Sequence, residues 1–384
     1  MRLFDFPPCT DVSPNPFPAC TSLTYRDTAG RVYLGRTMEL TADFPYQLLY
    51  LPSGREFSSQ PLPGAELRYS SRLASLGVAI PGRVPTAQAP LTAADLKVVE
   101  GVNEAGLTFS LLAFPEVGEV PVPEENTPVL AATDLGTWTL GQFRTVDEVK
   151  AALAGQRVIP EAIALLGGTP APFHYVLHDR GGKSIVLEFH AGQFHVHDNP
   201  VGVLTNGPEF PWHLTNLNNY SFLSNVDRSK ATFGSLAVRQ PDSGIATAGL
   251  PASNTSVGRF VRAVFYREFA EKVSDPDRAV QTLAHIMNNF DRPKGISISP
   301  PGETDHLEVR GLSDASGTVP TEYTSWTNLT DLERLRIFLR SYNSLNYTQF
   351  DLTKLVGCTV PKIFPLSSLD SAAPDATEHM AAFE

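Results

Sequence analysis

Cys20-Thr21-Ser22-Leu23-Thr24-Tyr25, followed by Gly35-Arg36-Thr37-Met38-Glu39, is the stretch from which the rest of this chain is best read. Between its halves lies Asp27-Thr28-Ala29-Gly30, flanked by β-prone runs at Thr21–Arg26 and Val32–Leu40. That pattern predicts an antiparallel hairpin. Cys20 then heads the first strand, directly after a segment, Met1–Ala19, that carries Pro7, Pro8, Pro14, Pro16 and Pro18. Proline removes a backbone donor and fixes φ, so this segment should be neither helical nor part of a sheet interior. It reads as a disordered leader or as a propeptide. If the chain is cut between Ala19 and Cys20, one residue carries both a thiol and a free α-amine, with ordinary pKa values of about 8.5 and about 8. The amine is then a built-in general base for the thiol. Before cleavage the same nitrogen is an amide and accepts no proton, so processing would switch the centre on. The bland alternative is a buried, inert cysteine packed as a small hydrophobe.

Outward from the hairpin, Tyr46–Leu51 predicts a third strand. The turn Asn103-Glu104-Ala105-Gly106 leads into a near-continuous apolar strand at Leu107–Ala113. Leu135–Phe143 predicts a helix, and Thr145-x-x-Glu148 is a capping box ahead of another. Phe173–His178, Ser184–Phe189, Phe194–His197 and Gly202–Leu204 form a run of short strands separated by Gly-containing turns, the pattern of a meander. Phe210–Tyr220, Val257–Lys272 and Asp277–Phe290 predict helices, and Tyr323–Asn328 and Arg334–Ser341 return to strand. Ser367–Glu384 has no periodicity and reads as a mobile end. Strand runs, paired helices and strands again predict two antiparallel sheets packed face to face and covered by helices. The division is a leader over residues 1–19, a single domain over 20–365 and a tail over 366–384.

Composition limits the function. The 384 residues hold 41 acidic and 30 basic side chains, a formal charge of −11, with no Lys/Arg cluster, which disfavours nucleic acid as a partner. Charged residues make up 18% and apolar ones 42%, so the chain is no disordered polyelectrolyte. No apolar run approaches 18 residues, so no membrane-spanning helix is expected. The first 19 residues lack the apolar stretch of a secretory signal, which tilts the reading towards the cytoplasm without fixing the compartment. Three cysteines, Cys9, Cys20 and Cys358, make no disulfide framework. His195-x-His197, with His178 and His190 on neighbouring strands, could converge on zinc, but a hydrophilic sheet face is the simpler account. No metal and no cofactor is expected, and no nucleotide fingerprint occurs.

Four separated blocks resemble the choloylglycine hydrolase family, which includes bile salt hydrolases and penicillin V acylases. They are Cys20 with Gly35-Arg36-x-Met38; Gly101-Val102-Asn103-Glu104-x-Gly106-Leu107; Gly202-Val203-Leu204-Thr205-Asn206-x-Pro208-x-Phe210-x-Trp212-His213 with Asn216-Leu217-x-x-Tyr220; and Gly249-Leu250-Pro251 with Ser256-x-x-Arg259-Phe260, then Tyr323-Thr324-Ser325. No single block decides; their order and spacing over about Cys20 to Leu355 do. The resemblance implies an α+β fold, the four-layer αββα sandwich of N-terminal nucleophile hydrolases. It also implies cleavage of a linear amide in a small N-acyl compound through a thioester on Cys20.

The resemblance assigns roles by position. Cys20 matches the nucleophile and Arg36 the arginine beside it, where a guanidinium favours the thiolate; otherwise Arg36 is an ordinary strand arginine with a solvated tip. Glu39 stands where many relatives have aspartate and would hold the α-amine, although it is one methylene longer. Asn206 matches the oxyanion-hole asparagine, while Thr-Asn-Gly-Pro is also a strong turn sequence. Arg259 matches a second active-site arginine near a helix start. Met38 and Phe44 match residues of the acyl pocket, and plain core packing is the competing account. Ala113 is a departure: bile salt hydrolases generally carry asparagine there and penicillin acylases tyrosine. Either Asn206 works with backbone N–H groups or the register differs, and alanine would enlarge the pocket. Relatives are commonly tetramers, so a homo-oligomer is implied. Candidate substrates are conjugated bile salts, phenoxyacetyl penicillins and N-acyl homoserine lactones. Two other classes fit the residues: a non-catalytic acyl-binding member that keeps its leader, and a Cys–His thiol protease using Cys20 or Cys358. His213 reads as structural, Cys9 as leader and Cys358 as a packed thiol.

Overall fold

The computed structural model describes residues 19–371 apart from 42, 63–65, 84–87, 115–116, 119, 121–126, 164–165, 167 and 299–320, together with 373–375, 377 and 380. The expected leader, Cys9 included, lies outside the described residues except for Ala19.

The predicted hairpin forms as β1 (Cys20–Arg26) and β2 (Val32–Leu40), paired antiparallel with Cys20 opposite Met38. They sit inside a six-stranded sheet ordered Val203–Leu204, β1, β2, Tyr323–Asp331, Arg336–Ser341, Thr348–Asp351. An eight-stranded sheet runs Gln193–Asp198, Ser184–His190, Phe173–His178, Thr108–Ala113, Leu96–Asn103, Ser75–Pro81, β3 (Gln47–Leu51), Lys362–Pro365. Every pairing in both sheets is antiparallel. α1 (Leu135–Gln142) packs on the second sheet, and α2 (Val146–Leu153) follows it. α3 (Phe210–Asn216) leads towards α4 (Ser256–Phe269) and α5 (Pro276–Met287), which cover the first sheet. The order of layers is helix, sheet, sheet, helix: the expected α+β sandwich.

Local chemistry explains the layers. α5 buries Ala279, Val280, Leu283, Ile286 and Met287, a stripe at helical spacing, and Asp275 caps its first turn just before Pro276. Gly35 on β2 permits the close approach of α5, since a Cβ there would lie 2.5 Å from Met287 Sδ. Asn103 joins turn to helix: its Nδ2 donates to the carbonyls of Leu140 (2.9 Å) and Phe143 (2.7 Å), and its Oδ1 accepts from Ala105 and Leu107. The Gly101–Leu107 block is therefore architectural, satisfying carbonyls at the end of α1 that have no helical partner.

The structure departs from expectation at several points. Ser75–Pro81, Leu96–Asn103 and Lys362–Pro365 are additional strands. The Val257–Lys272 helix runs Ser256–Phe269, because Ala270 turns extended. Phe210–Tyr220 is α-helical to Asn216 and tightens to a 3-10 turn over Leu217–Tyr220. The strand expected from Arg334 starts at Arg336, after Leu335 takes positive φ. Leu366–Leu369 forms a helical turn with both leucines buried, so ordered packing extends into the expected tail. Between α3 and α4 the chain leaves the sandwich. There the hairpin Lys230–Phe233/Leu236–Arg239 forms a two-stranded sheet of its own, and Phe222, Val226, Phe233 and Leu236 are exposed.

Candidate active site

Strand alternation sets the site. Cys20 and Met38 are cross-strand partners on one face, their sulfurs 3.7 Å apart, and Arg36 shares that face two residues back along β2. Cys20 is 1% exposed and Arg36 is fully buried. Two carbonyls hold the guanidinium: Nη2 donates to Leu111 O at 2.5 Å and Nη1 to Thr37 O. Its carbon lies 5.7 Å from the centre of the Trp326 ring. Its Nε is 3.5 Å from Glu100 Oε2, on a strand of the opposite sheet, so this ion pair crosses the sandwich. Burial pushes Glu100 up to about 7 against the pull of Arg36, Ser110 and Asn328.

Burial also pushes the Cys20 thiol up, and Glu39 adds to this. Arg36 and the nearby backbone N–H of Ala113 act the other way. Arg36 is thus the main group favouring thiolate in an otherwise unfavourable apolar setting.

Asn206 lies beside Cys20. Its Oδ1 accepts from the Cys20 backbone N–H (2.9 Å) and from Arg259 Nη2 (2.6 Å), while Nδ2 donates to Ala113 O (2.8 Å). Arg259, on the first turn of α4, donates through Nη1 to Cys20 O and to Thr21 Oγ1. Burial, reinforced by Arg292, lowers Arg259 to about 10, still charged at neutral pH. Glu39 faces the α4 side. Burial pushes its carboxyl up, opposed by Arg292 and Arg259, and its Oε1 accepts from Thr324 Oγ1 at 3.1 Å. With the Ala19–Cys20 peptide intact, the Cys20 nitrogen bonds to Asn206 and the Glu39 carboxylate to Thr324. The four residues expected around Cys20, namely Arg36, Glu39, Asn206 and Arg259, are thus brought together with it.

Behind them stand two histidines and a glutamate; the sequence reads His213 as structural, while His174 and Glu188 were not found from it. His213 Nε2 donates to Asn206 O (2.9 Å), and burial lowers its pKa to about 4, so it does so as a neutral imidazole. His174 Nε2 donates to Thr205 O (3.0 Å), while its Nδ1 lies 3.1 Å from the buried Glu188. Two imidazoles therefore hold consecutive carbonyls of the Thr205–Asn206 turn. The available signal was a histidine or glutamate at an inward position of an apolar strand, as in Phe173–His178 and Ser184–His190.

Cys20 lines a cavity of about 370 Å³ whose wall includes Met38, Phe44, Leu111, Ala113 and Phe173. The three positions expected to contact an acyl group are all on it. Ala113 contributes its side chain to the cavity wall and its carbonyl to Asn206. His195 and His197 stack on each other at 5.6 Å, and among the described residues no group of three or more His, Cys, Asp or Glu side chains could hold a metal. Cys358 is half-buried far along the chain, its carbonyl accepting from Tyr50 Oη. Among the described residues no helix is long and apolar enough to cross a membrane.

The profile of the linear amide C–N hydrolases, choloylglycine hydrolase family, matches residues 20–360. The chain belongs to this family. It is similar to a bile salt hydrolase/transferase of Bifidobacterium longum subsp. longum, 27% identical over 78% of this chain and 90% of that protein. It is also similar to a penicillin V acylase of Pectobacterium atrosepticum, 27% identical over 88% of this chain and 82% of that protein. Its fold matches that of a mutant conjugated bile acid hydrolase from Clostridium perfringens with a TM-score of 0.74, at 24% identity over 92% of this chain and 99% of that one. As a choloylglycine hydrolase family member the chain is a linear amide C–N hydrolase of the bile salt hydrolase and penicillin V acylase type.

Proposed function

We propose that the protein cleaves the linear amide of a small N-acyl compound through a thioester on Cys20, once residues 1–19 have been removed. The observation that carries this reading is the juxtaposition of Arg36, the Ala113 N–H and Asn206 around a buried thiol on the wall of a largely apolar cavity. The free α-amine of Cys20 takes the thiol proton, and the thiolate attacks the amide carbonyl. The developing oxyanion takes hydrogen bonds from Asn206 Nδ2 and from backbone N–H, an interaction worth about 3–4 kcal/mol per donor. The carbon–nitrogen bond then breaks, and the ammonium returns its proton to the leaving amine. Water hydrolyses the thioester, releasing the acid and restoring the thiol. Arg259 orients Asn206 and the Cys20 carbonyl, and Glu39 supplies negative charge beside the α-ammonium.

The wall of Met38, Phe44, Leu111 and Phe173 favours an apolar acyl group, and the small side chain at Ala113 leaves room for a bulky one. Conjugated bile salts, phenoxyacetyl penicillins and N-acyl homoserine lactones all pair such a group with a polar leaving amine. The exposed apolar side chains of the 222–236 arm support self-association, since patches of this kind mark interfaces.

The test is intact mass of the purified protein alongside a panel of those three amide classes. We expect a chain beginning at Cys20 and hydrolysis that iodoacetamide abolishes, both lost in Cys20→Ala. A chain that retains residues 1–19 and hydrolyses none of the panel would favour an acyl-binding protein instead.

A further inference from the structure

We propose that the cavity beside Cys20 carries a polar subsite, formed by Lys97, Thr133, Asp134 and Glu161, that selects acyl groups bearing a hydroxyl at the end away from the amide. The proposal rests on the reading of Cys20 and its cavity given above and narrows the substrate within it.

The cavity wall is of two kinds. Met38, Leu111 and Phe173 make it apolar, yet Lys97, Thr133, Asp134 and Glu161 line the same space, and a purely apolar acyl chain leaves them unused. They come from three segments, none of which holds the nucleophile. Lys97 lies near the start of the strand Leu96–Asn103, Thr133 and Asp134 on the turn Ala132–Asp134 that enters α1, and Glu161 just ahead of the short strand Ala162–Ile163. Strand alternation puts Lys97 on the same cavity-facing side as Val99, about 7 Å further along. The four side chains bond to one another. Lys97 Nζ donates to Asp134 Oδ1, and Thr133 donates to Glu161 Oε1 through both its hydroxyl and its backbone N–H, the latter at 3.3 Å.

Two hydrogen-bonding capacities are left over. Among the described residues, Glu161 Oε2 is shielded from water and has no hydrogen-bond partner. An ammonium has three donors, and the Lys97 side chain, half-buried beside the more deeply buried Asp134, spends one of them on that carboxylate. A ligand hydroxyl answers both, because it donates to Oε2 and accepts from Nζ. Burial, with Asp134 adding to it, pushes the Glu161 carboxyl up, opposed by Thr133 and Lys97. A hydroxyl pairs with Oε2 in either state, accepting from the protonated carboxyl or donating to the ionised one. A ligand ammonium pairs only with the ionised form and meets the charge of Lys97. The subsite therefore fits a hydroxyl, carried on an apolar acyl chain that covers the rest of the wall.

The experiment compares kcat/KM of the purified protein for N-acyl glycines from hexanoyl to dodecanoyl, each chain ending in a methyl, a hydroxyl or an ammonium. In an all-apolar cavity the hydroxyl members would be the poorer substrates, since burying an unpaired hydroxyl is unfavourable. We expect instead that, at the chain length that reaches Lys97, the hydroxyl member exceeds its methyl counterpart by about tenfold. Lys97→Met should bring that ratio to one or below, and Glu161→Gln should lower it by about threefold. A general loss of folded protein or activity lowers both members together and leaves the ratio where it was. A wild-type ratio below one at every length, a ratio unmoved in both variants, or a preference for the ammonium member would overturn the proposal while leaving the amide hydrolase reading intact. Hydrolysis of none of the series would overturn it together with that reading.

Discussion

Replacing Glu100 by glutamine isolates the buried charge behind the nucleophile. The glutamate is fully buried, receives one hydrogen bond from Asn328 Nδ2 at 3.1 Å, and faces Arg36 Nε at 3.5 Å, beyond hydrogen-bonding distance. Burial raises it from an ordinary 4.5 to about 7 even with Arg36 present. A carboxyl raised on folding adds stability while protonated, below its unfolded pKa, and that stability is lost as pH rises through its folded pKa. Between pH 5 and pH 8 the loss is roughly 2–3 kcal/mol. Glutamine does not titrate, so the stability of Glu100→Gln relative to wild type should rise by that amount over the same interval, whatever the offset at pH 5. Unfolding entropy for a chain of 384 residues is roughly 0.8 kcal/mol per degree, which converts the gain to about 3 °C in relative Tm. Differential scanning fluorimetry of both proteins at pH 5, 6, 7 and 8 measures it, and the difference between the two curves cancels the other titrating groups. A relative Tm that stays flat or falls across this range would show that the ionised pair is comfortable in the sandwich and would refute the reasoning.

Arg36→Met should move the pH midpoint of Cys20 alkylation by iodoacetamide upward, and the rate at pH 7 should drop by about tenfold; an unmoved midpoint removes Arg36 as the thiolate partner. Ala113→Phe should lower kcat/KM for bulky acyl amides by about a hundredfold and leave acetyl-sized amides nearly unaffected; equal losses for both would mean that this wall does not meet the acyl group. Phe233→Asp combined with Leu236→Asp should reduce the sedimentation coefficient of an oligomer to that of a smaller species, and unchanged sedimentation would exclude the arm from the interface.

The sequence was most informative where periodicity and turn chemistry agreed. The hairpin around Asp27–Gly30 needed only strand pairing to bring Cys20 opposite Met38, and the capping box Thr145-x-x-Glu148 announced α2. Ser75–Pro81 was missed because Gly77 and Pro81 weaken a strand pattern; a Cβ at Gly77 would lie 2.1 Å from Glu100 O, so close backbone approach explains that glycine. Lys362–Pro365 is an exposed edge strand ending in proline, with no alternation to read. At the site, Cys20, Arg36 and Asn206 emerged from resemblance, whereas Glu100, His174 and Glu188 did not. Their charge or polarity suggested surface, and only tertiary packing turned them inward.

The arm between α3 and α4 has a thermodynamic consequence. Its hairpin residues are exposed almost throughout, so within one chain it gains little from removing apolar surface from water, while ordering its backbone still costs about 1–2 kcal/mol per residue. An element of this kind draws its order from outside itself. Its resistance to proteases and its hydrogen-exchange protection should therefore rise with protein concentration, while the sandwich, which carries its own core, keeps the same protection at any dilution.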